Sequence, residues 1–196
     1  MWQWRSILTT CTSPPRFSHS SLIKGYYNIR VSYTANVMHY MSSAGEIEIS
    51  DHNYDKALEH LDAALNIYKE MKALATSGGG DMRNELHSLG LFATALCASG
   101  QWGKGLQTFR AVIERESRHV GATHHNLVQK YVNSGLCAYQ GGEFREAMKL
   151  LHTGETILRG YPHLQDSPFQ GLISTYMERA SKALSGSSLA GRGQEL

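Results

Sequence analysis

Apolar residues recur along this chain at the three-and-four spacing of a helix, in pairs of short amphipathic runs joined by tight polar turns. The clearest pair runs from Leu86 to Arg115. Leu89, Phe92, Ala93 and Leu96 line one face of its first half, and Leu106, Phe109, Val112 and Ile113 line one face of its second. Between them Ser99-Gly100-Gln101 predicts a turn in which Gly100 takes a positive φ and closes the first helix. Trp102 is then expected to anchor the returning helix, and Gly105 to mark the point where the two backbones come close. A hairpin this small cannot cover its own apolar faces, which predicts copies stacked against it.

A copy follows 42 positions on. Tyr131, Ser134, Gly135 and Ala138 repeat the first-helix positions, Gly142-Glu143-Phe144 the turn and its aromatic, and Ala147, Met148 and Leu151 the second helix. Upstream, Tyr54, Ala57, Leu61, Ala64 and Leu65 make a good second helix, while its partner around 41–49 fits poorly because Glu48 occupies an apolar position. Downstream, Ile173, Tyr176, Met177 and Ala180 repeat the first-helix pattern with no second helix after it. Three hairpins and one closing helix describe a short helical solenoid.

These residues carry a resemblance to tetratricopeptide-repeat (TPR) proteins. Trp102 and Gly105, Phe144 and Ala147, and Tyr54 and Ala57 stand where that family places an aromatic and then a small residue after each turn. The long interval is similar to that of kinesin light chains, and Gly121-Ala122-Thr123-His124-His125 resembles the Gly-x-x-His-Pro segment between their repeats, with His125 in place of proline. The resemblance implies an all-α fold of TPR-like antiparallel helical hairpins wound into a short right-handed superhelical solenoid. It also implies a concave groove lined by the first helix of each hairpin, here by His87, Asn133, Leu136 and Tyr139 among others. Family members that grip acidic C-termini use basic residues there. The inward register contains none before Lys182, so peptide capture of that kind is not expected.

Composition divides the chain into a leader over 1–25, a repeat domain over 26–184 and a flexible tail over 185–196. The first 45 residues hold Arg5, Arg16, Lys24 and Arg30 but no acid before Glu46, and many Ser and Thr. That is the composition of a mitochondrial presequence, so the mitochondrial matrix is the expected location and the cytoplasm the runner-up. Trp2, Trp4, Tyr26, Tyr27 and Tyr33 are aromatics that a polar leader has little use for unless they contact a partner. Residues 26–50 read as a helix, Asp51 as the N-cap of the next, 75–81 as a glycine-rich insertion, and Asp166-Ser167-Pro168 as a helix start.

The 196 residues and 21.8 kDa suffice for one cored domain. A formal charge of +2 does not favour RNA contact. Cys11, Cys97 and Cys137 are too few and scattered for a disulfide scaffold, which points to a reducing or neutral compartment. No apolar run approaches the roughly 18 residues of a membrane span. His119, His124 and His125 sit together, but no cysteine or carboxylate accompanies them at ligand spacing, and no catalytic constellation or phosphate loop is present. No cofactor, metal or small-molecule substrate is expected. The resulting expectation is a non-catalytic scaffold or accessory subunit of a larger mitochondrial assembly, a respiratory or ATP-synthase complex or the mitoribosome, that contacts other protein subunits. The alternative is a free-standing adaptor that holds a peptide or cargo segment in its groove.

Overall fold

The computed structural model describes residues 36–74, 82–164 and 166–190, and the side chains of these up to residue 185, Leu74 excepted. Residues 1–35, with Trp2, Trp4, Tyr26, Tyr27, Tyr33 and the first part of the helix expected over 26–50, and the insertion at 75–81 lie outside the described residues. Helix α1 covers 36–50, followed by α2 (Tyr54–Leu74), α3 (Met82–Ala98), α4 (Trp102–Val120), α5 (Asn126–Gln140), α6 (Phe144–Arg159), a 3-10 turn at Pro162–Leu164 and α7 (Pro168–Ala190). Helices pack mainly on their neighbours in sequence, α2 on α3, α3 on α4, α4 on α5, α5 on α6 and α6 on α7, with further contacts of α3 and α7 to α5. This is an all-α chain of helical hairpins stacked in order, a generic helical-repeat architecture.

The hairpin turns share one hydrogen-bond pattern. Gln101 donates its N–H to the Leu96 carbonyl at 2.8 Å and Glu143 donates to Ala138 at 2.8 Å. The residue before each donor is a left-handed glycine, Gly100 at φ 84° and Gly142 at φ 80°. The α1–α2 turn does the same without a glycine: Asn53 donates to the Glu48 carbonyl at 2.8 Å, and His52 takes φ 62°. A hydrogen bond of 2.8 Å between His52 Nδ1 and the Tyr54 hydroxyl accompanies that conformation, whose ordinary cost for a residue with a Cβ is about 1–2 kcal/mol. Asp51 belongs to this turn, donating its N–H to Ile47, and is not the cap at the head of α2.

Within each hairpin the helices cross where one side is very small. A Cβ on Gly45 would lie 2.5 Å from Leu61 Cγ, and one on Gly135 would lie 2.7 Å from Leu151 Cγ. The middle hairpin uses Ala93, fully buried, beside Phe109 at 1% exposure. Leu61, Phe109 and Leu151 are thus fully enclosed anchors, each stabilising the fold by about 1.5–3 kcal/mol. Gly105 is the expected point of close approach: its absent Cβ would fall 2.3 Å from Cys97 Sγ and 3.1 Å from the Ala93 carbonyl oxygen. Trp102, by contrast, is 40% exposed and lies over Gly141 at the next turn instead of anchoring α4. The core beneath that turn is already filled by Leu106, Phe109, Ala147 and Leu150.

Polar contacts add to this packing, both between hairpins and within one. Ser42 of α1 and Ser88 of α3, both buried, share a 2.7 Å hydrogen bond, and each hydroxyl also bonds the carbonyl four residues before it. Arg115 of α4 forks onto both carboxylate oxygens of Glu85 in α3, with Nη1 to Oε1 at 2.8 Å. Burial pushes the Glu85 carboxyl upward, but the Arg115 guanidinium outweighs it and holds the group below its ordinary value. At the C-terminal end α7 begins at Pro168, as expected of a proline at the first helical position. It continues to Ala190, so the first residues of the expected tail are helical. Among the described residues, no helix is long and apolar enough to cross a membrane.

Candidate functional site

Helices α3 and α5 run side by side, and the seam between them opens at one end and is closed at the other. His87, Gly90, Thr94 and Cys97 follow one another on α3 at helical spacing, as do Lys130, Asn133 and Cys137 on α5. At the open end a cavity of about 310 Å³ is walled by Asn84, His87, Glu116, His119, Asn126 and Lys130, among others. Midway the space narrows to about 40 Å³ between Gly90, Thr94, Phe109 and Asn133, with Glu46 of α1 at its rim. Gly90 helps to keep this stretch open, since nothing lies within 4 Å of where its Cβ would be.

His87 and Asn133, both expected in the groove, line this same narrow space. Leu136 and Tyr139 do not join them. Leu136 packs against the apolar cluster shared with α6 and α7, and the Tyr139 ring meets Phe144 at 5.4 Å and Tyr176 edge-on at 5.2 Å. They belong to the α5–α7 seam, where they are half-buried by packing.

The groove does contain a lysine, contrary to the inward register read from the sequence. Lys130 lines both spaces, its Nζ 3.7 Å from Glu116 Oε2, an ion pair too long to be a hydrogen bond. Glu116 is buried and that oxygen accepts no hydrogen bond. The pair is charge-balanced, so Lys130 does not make the groove a basic clamp. Burial in the wall holds the His87 imidazole below its ordinary value, with Lys130 and His39 adding to the effect and Glu46 and Glu116 opposing it. His87 therefore enters the groove as a neutral donor and acceptor near neutral pH.

The closed end was not anticipated at all. Cys97 and Cys137, read as scattered thiols, are joined in a disulfide with their Cα atoms 5.4 Å apart. Forty positions separate them, and only the side-by-side placement of α3 and α5 brings them together. Both residues are buried, at 6% and 1% exposure.

The histidines at the α4–α5 turn form a surface cluster. His124 and His125 stack at 4.3 Å, Tyr161 meets the His125 ring edge-on at 5.4 Å, and His124 Nδ1 accepts the Asn126 N–H at 3.2 Å. Among the described residues, no three histidine, cysteine or carboxylate side chains converge as a metal site. Among the described residues, the large apolar side chains that stand exposed are Tyr40 at 70% and Ile47 at 61% on α1, Trp102 at 40% at the head of α4 and Leu172 at 40% on α7. Compared with known proteins, the chain matches no family model, no curated protein and no solved structure.

Proposed function

We propose that this chain is a non-catalytic scaffold or accessory subunit of a mitochondrial assembly, acting through protein surfaces, with TPR-type hairpins wound right-handed. The observation that carries the scaffold reading is the exposed apolar face of α1, at the head of the described stack. The terminal units of a free-standing solenoid need a polar outer face, whereas Tyr40 and Ile47 stand out on α1. A subunit neighbour covering the outer face of α1 accounts for this arrangement. The mitochondrial part rests on the acid-free, arginine-bearing first 45 residues. A reporter fused behind residues 1–30 is expected in mitochondria, and a diffuse cytosolic signal refutes that part.

The open seam at His87 and Asn133 favours a second reading, an adaptor that holds a protein segment in the groove. One native-gel experiment in cell extract separates the two. Tyr40→Asp with Ile47→Asp is expected to release the chain from its complex, while His87→Ala with Asn133→Ala is expected to leave it there. The opposite pattern replaces the scaffold by the adaptor.

A further inference from the structure

The buried residues that α3 contributes to the core it shares with α5 are Ala93 and Cys97, and those from α5 are Cys137 and Ala138. Apart from two alanines, therefore, the cysteine pair is what α3 and α5 offer each other in that core. Elsewhere along the seam they face one another across open space at Gly90 and Asn133. A bond placed at the closed end of an otherwise thin contact governs how far the two helices stand apart.

We propose that Cys97 and Cys137 form a reversible thiol–disulfide site that sets the width of the α3–α5 groove. Both sulfurs rest against the first turn of α4. Cys97 Sγ occupies the notch left by the missing Cβ of Gly105, 2.3 Å from where that atom would be. Cys137 Sγ lies 3.6 Å from the Trp102 carbonyl oxygen. In the disulfide this is only a contact. After reduction the Cys137 S–H donates to that carbonyl, so the separated thiol gains a partner in place of the lost bond.

The reductant is a dithiol. One of its thiolates attacks Cys97, the less deeply buried of the two, and the sulfur–sulfur electron pair leaves on Cys137, which takes a proton. The second thiolate resolves the mixed disulfide, Cys97 leaves and is protonated, and the reductant departs as its own disulfide. Two electrons and two protons pass to the protein. With the bond gone, α5 is held to α3 by the two alanines and by what both pack on α4, and the groove widens from its Gly90 and Asn133 stretch toward the cysteines.

The proposal concerns the backbone and does not depend on which surface binds a partner. It is tested by hydrogen exchange on the full chain, first as purified without reductant, then after dithiothreitol, then after reoxidation with oxidised glutathione. Reduction is expected to speed exchange over 90–98 and 129–138 by at least ~10-fold more than over α6 and α7, as for local opening, and reoxidation to restore it. Equal acceleration in every helix overturns the proposal in favour of a general staple. Unchanged exchange, or a change that reoxidation does not reverse, also overturns it. Cys97→Ser with Cys137→Ser is expected to show the reduced pattern and ignore dithiothreitol. Should that variant fail to fold by circular dichroism, the reduction and reoxidation of the natural chain decides alone.

Discussion

Two glycines two positions apart at the head of α4 should respond oppositely to the same substitution. Gly105→Ala places a methyl group 2.3 Å from Cys97 Sγ, 3.1 Å from the Ala93 carbonyl oxygen and 3.2 Å from the Cys97 nitrogen. Two of those neighbours are backbone and the third is tied by a disulfide, so none yields cheaply. Overpacking a core costs about 1–3 kcal/mol, and the upper end applies here. Alanine returns up to about 1 kcal/mol through its better helix propensity, which leaves a net loss of about 2 kcal/mol. Gly103→Ala meets nothing within 4 Å and keeps the propensity gain. Urea denaturation of both variants beside the natural chain measures the difference, expected at about 3 kcal/mol. If Gly105→Ala proves as stable as Gly103→Ala, the α3–α4 crossing and the seat of Cys97 are wrongly placed.

Three further predictions rest on single groups. His52→Gly should stabilise the chain by up to about 1 kcal/mol, since it relieves a left-handed residue at φ 62° for the loss of an exposed bond to Tyr54; a loss of stability in thermal melts would count against that turn. Glu85→Gln should cost about 1.5–3 kcal/mol near neutral pH, the range for a hydrogen bond to a charged group, because it halves the fork to Arg115. As the Glu85 carboxyl is held low, that stabilisation is present above the ordinary value of 4.5 and fades as pH falls through the folded value, so denaturation midpoints of variant and parent should converge in acid. The His87 imidazole resonances should titrate with a midpoint below the ordinary 6.5. A histidine depressed in the folded state lets the unfolded chain bind the proton first, so stability declines as pH drops below 6.5, and His87→Gln should flatten that decline.

The helices and their pairing were legible because each apolar face repeats at 3.6 residues, and a face with Leu61, Phe109 or Leu151 at its centre has one way to be buried. Register within the groove was harder to read. Gln129 and Lys130 differ by about 100° around α5, yet both line the seam, so helical spacing alone does not single out one inward position there. Glu116 carried a usable signal, since it continues the spacing of Phe109, Val112 and Ile113 and so had to be buried. The size of Trp102 does not bring depth, because the interior beneath its turn is already full. The disulfide could not be read because its partners are offset by 40 positions while the hairpins are offset by 42. Pairing therefore crosses between different repeat positions and depends on how two helices slide against each other.

Because helices pack mostly on their neighbours in sequence, contact order is low, and such chains fold fast from local nuclei. On the ribosome the α3–α4 hairpin can close as soon as Val120 has emerged, while α5 is still inside the tunnel. Cys97 is then a waiting thiol, already tucked against Gly105, until Cys137 emerges. The bond between them is a late event in the birth of the protein, and it records that the third hairpin has docked on the second.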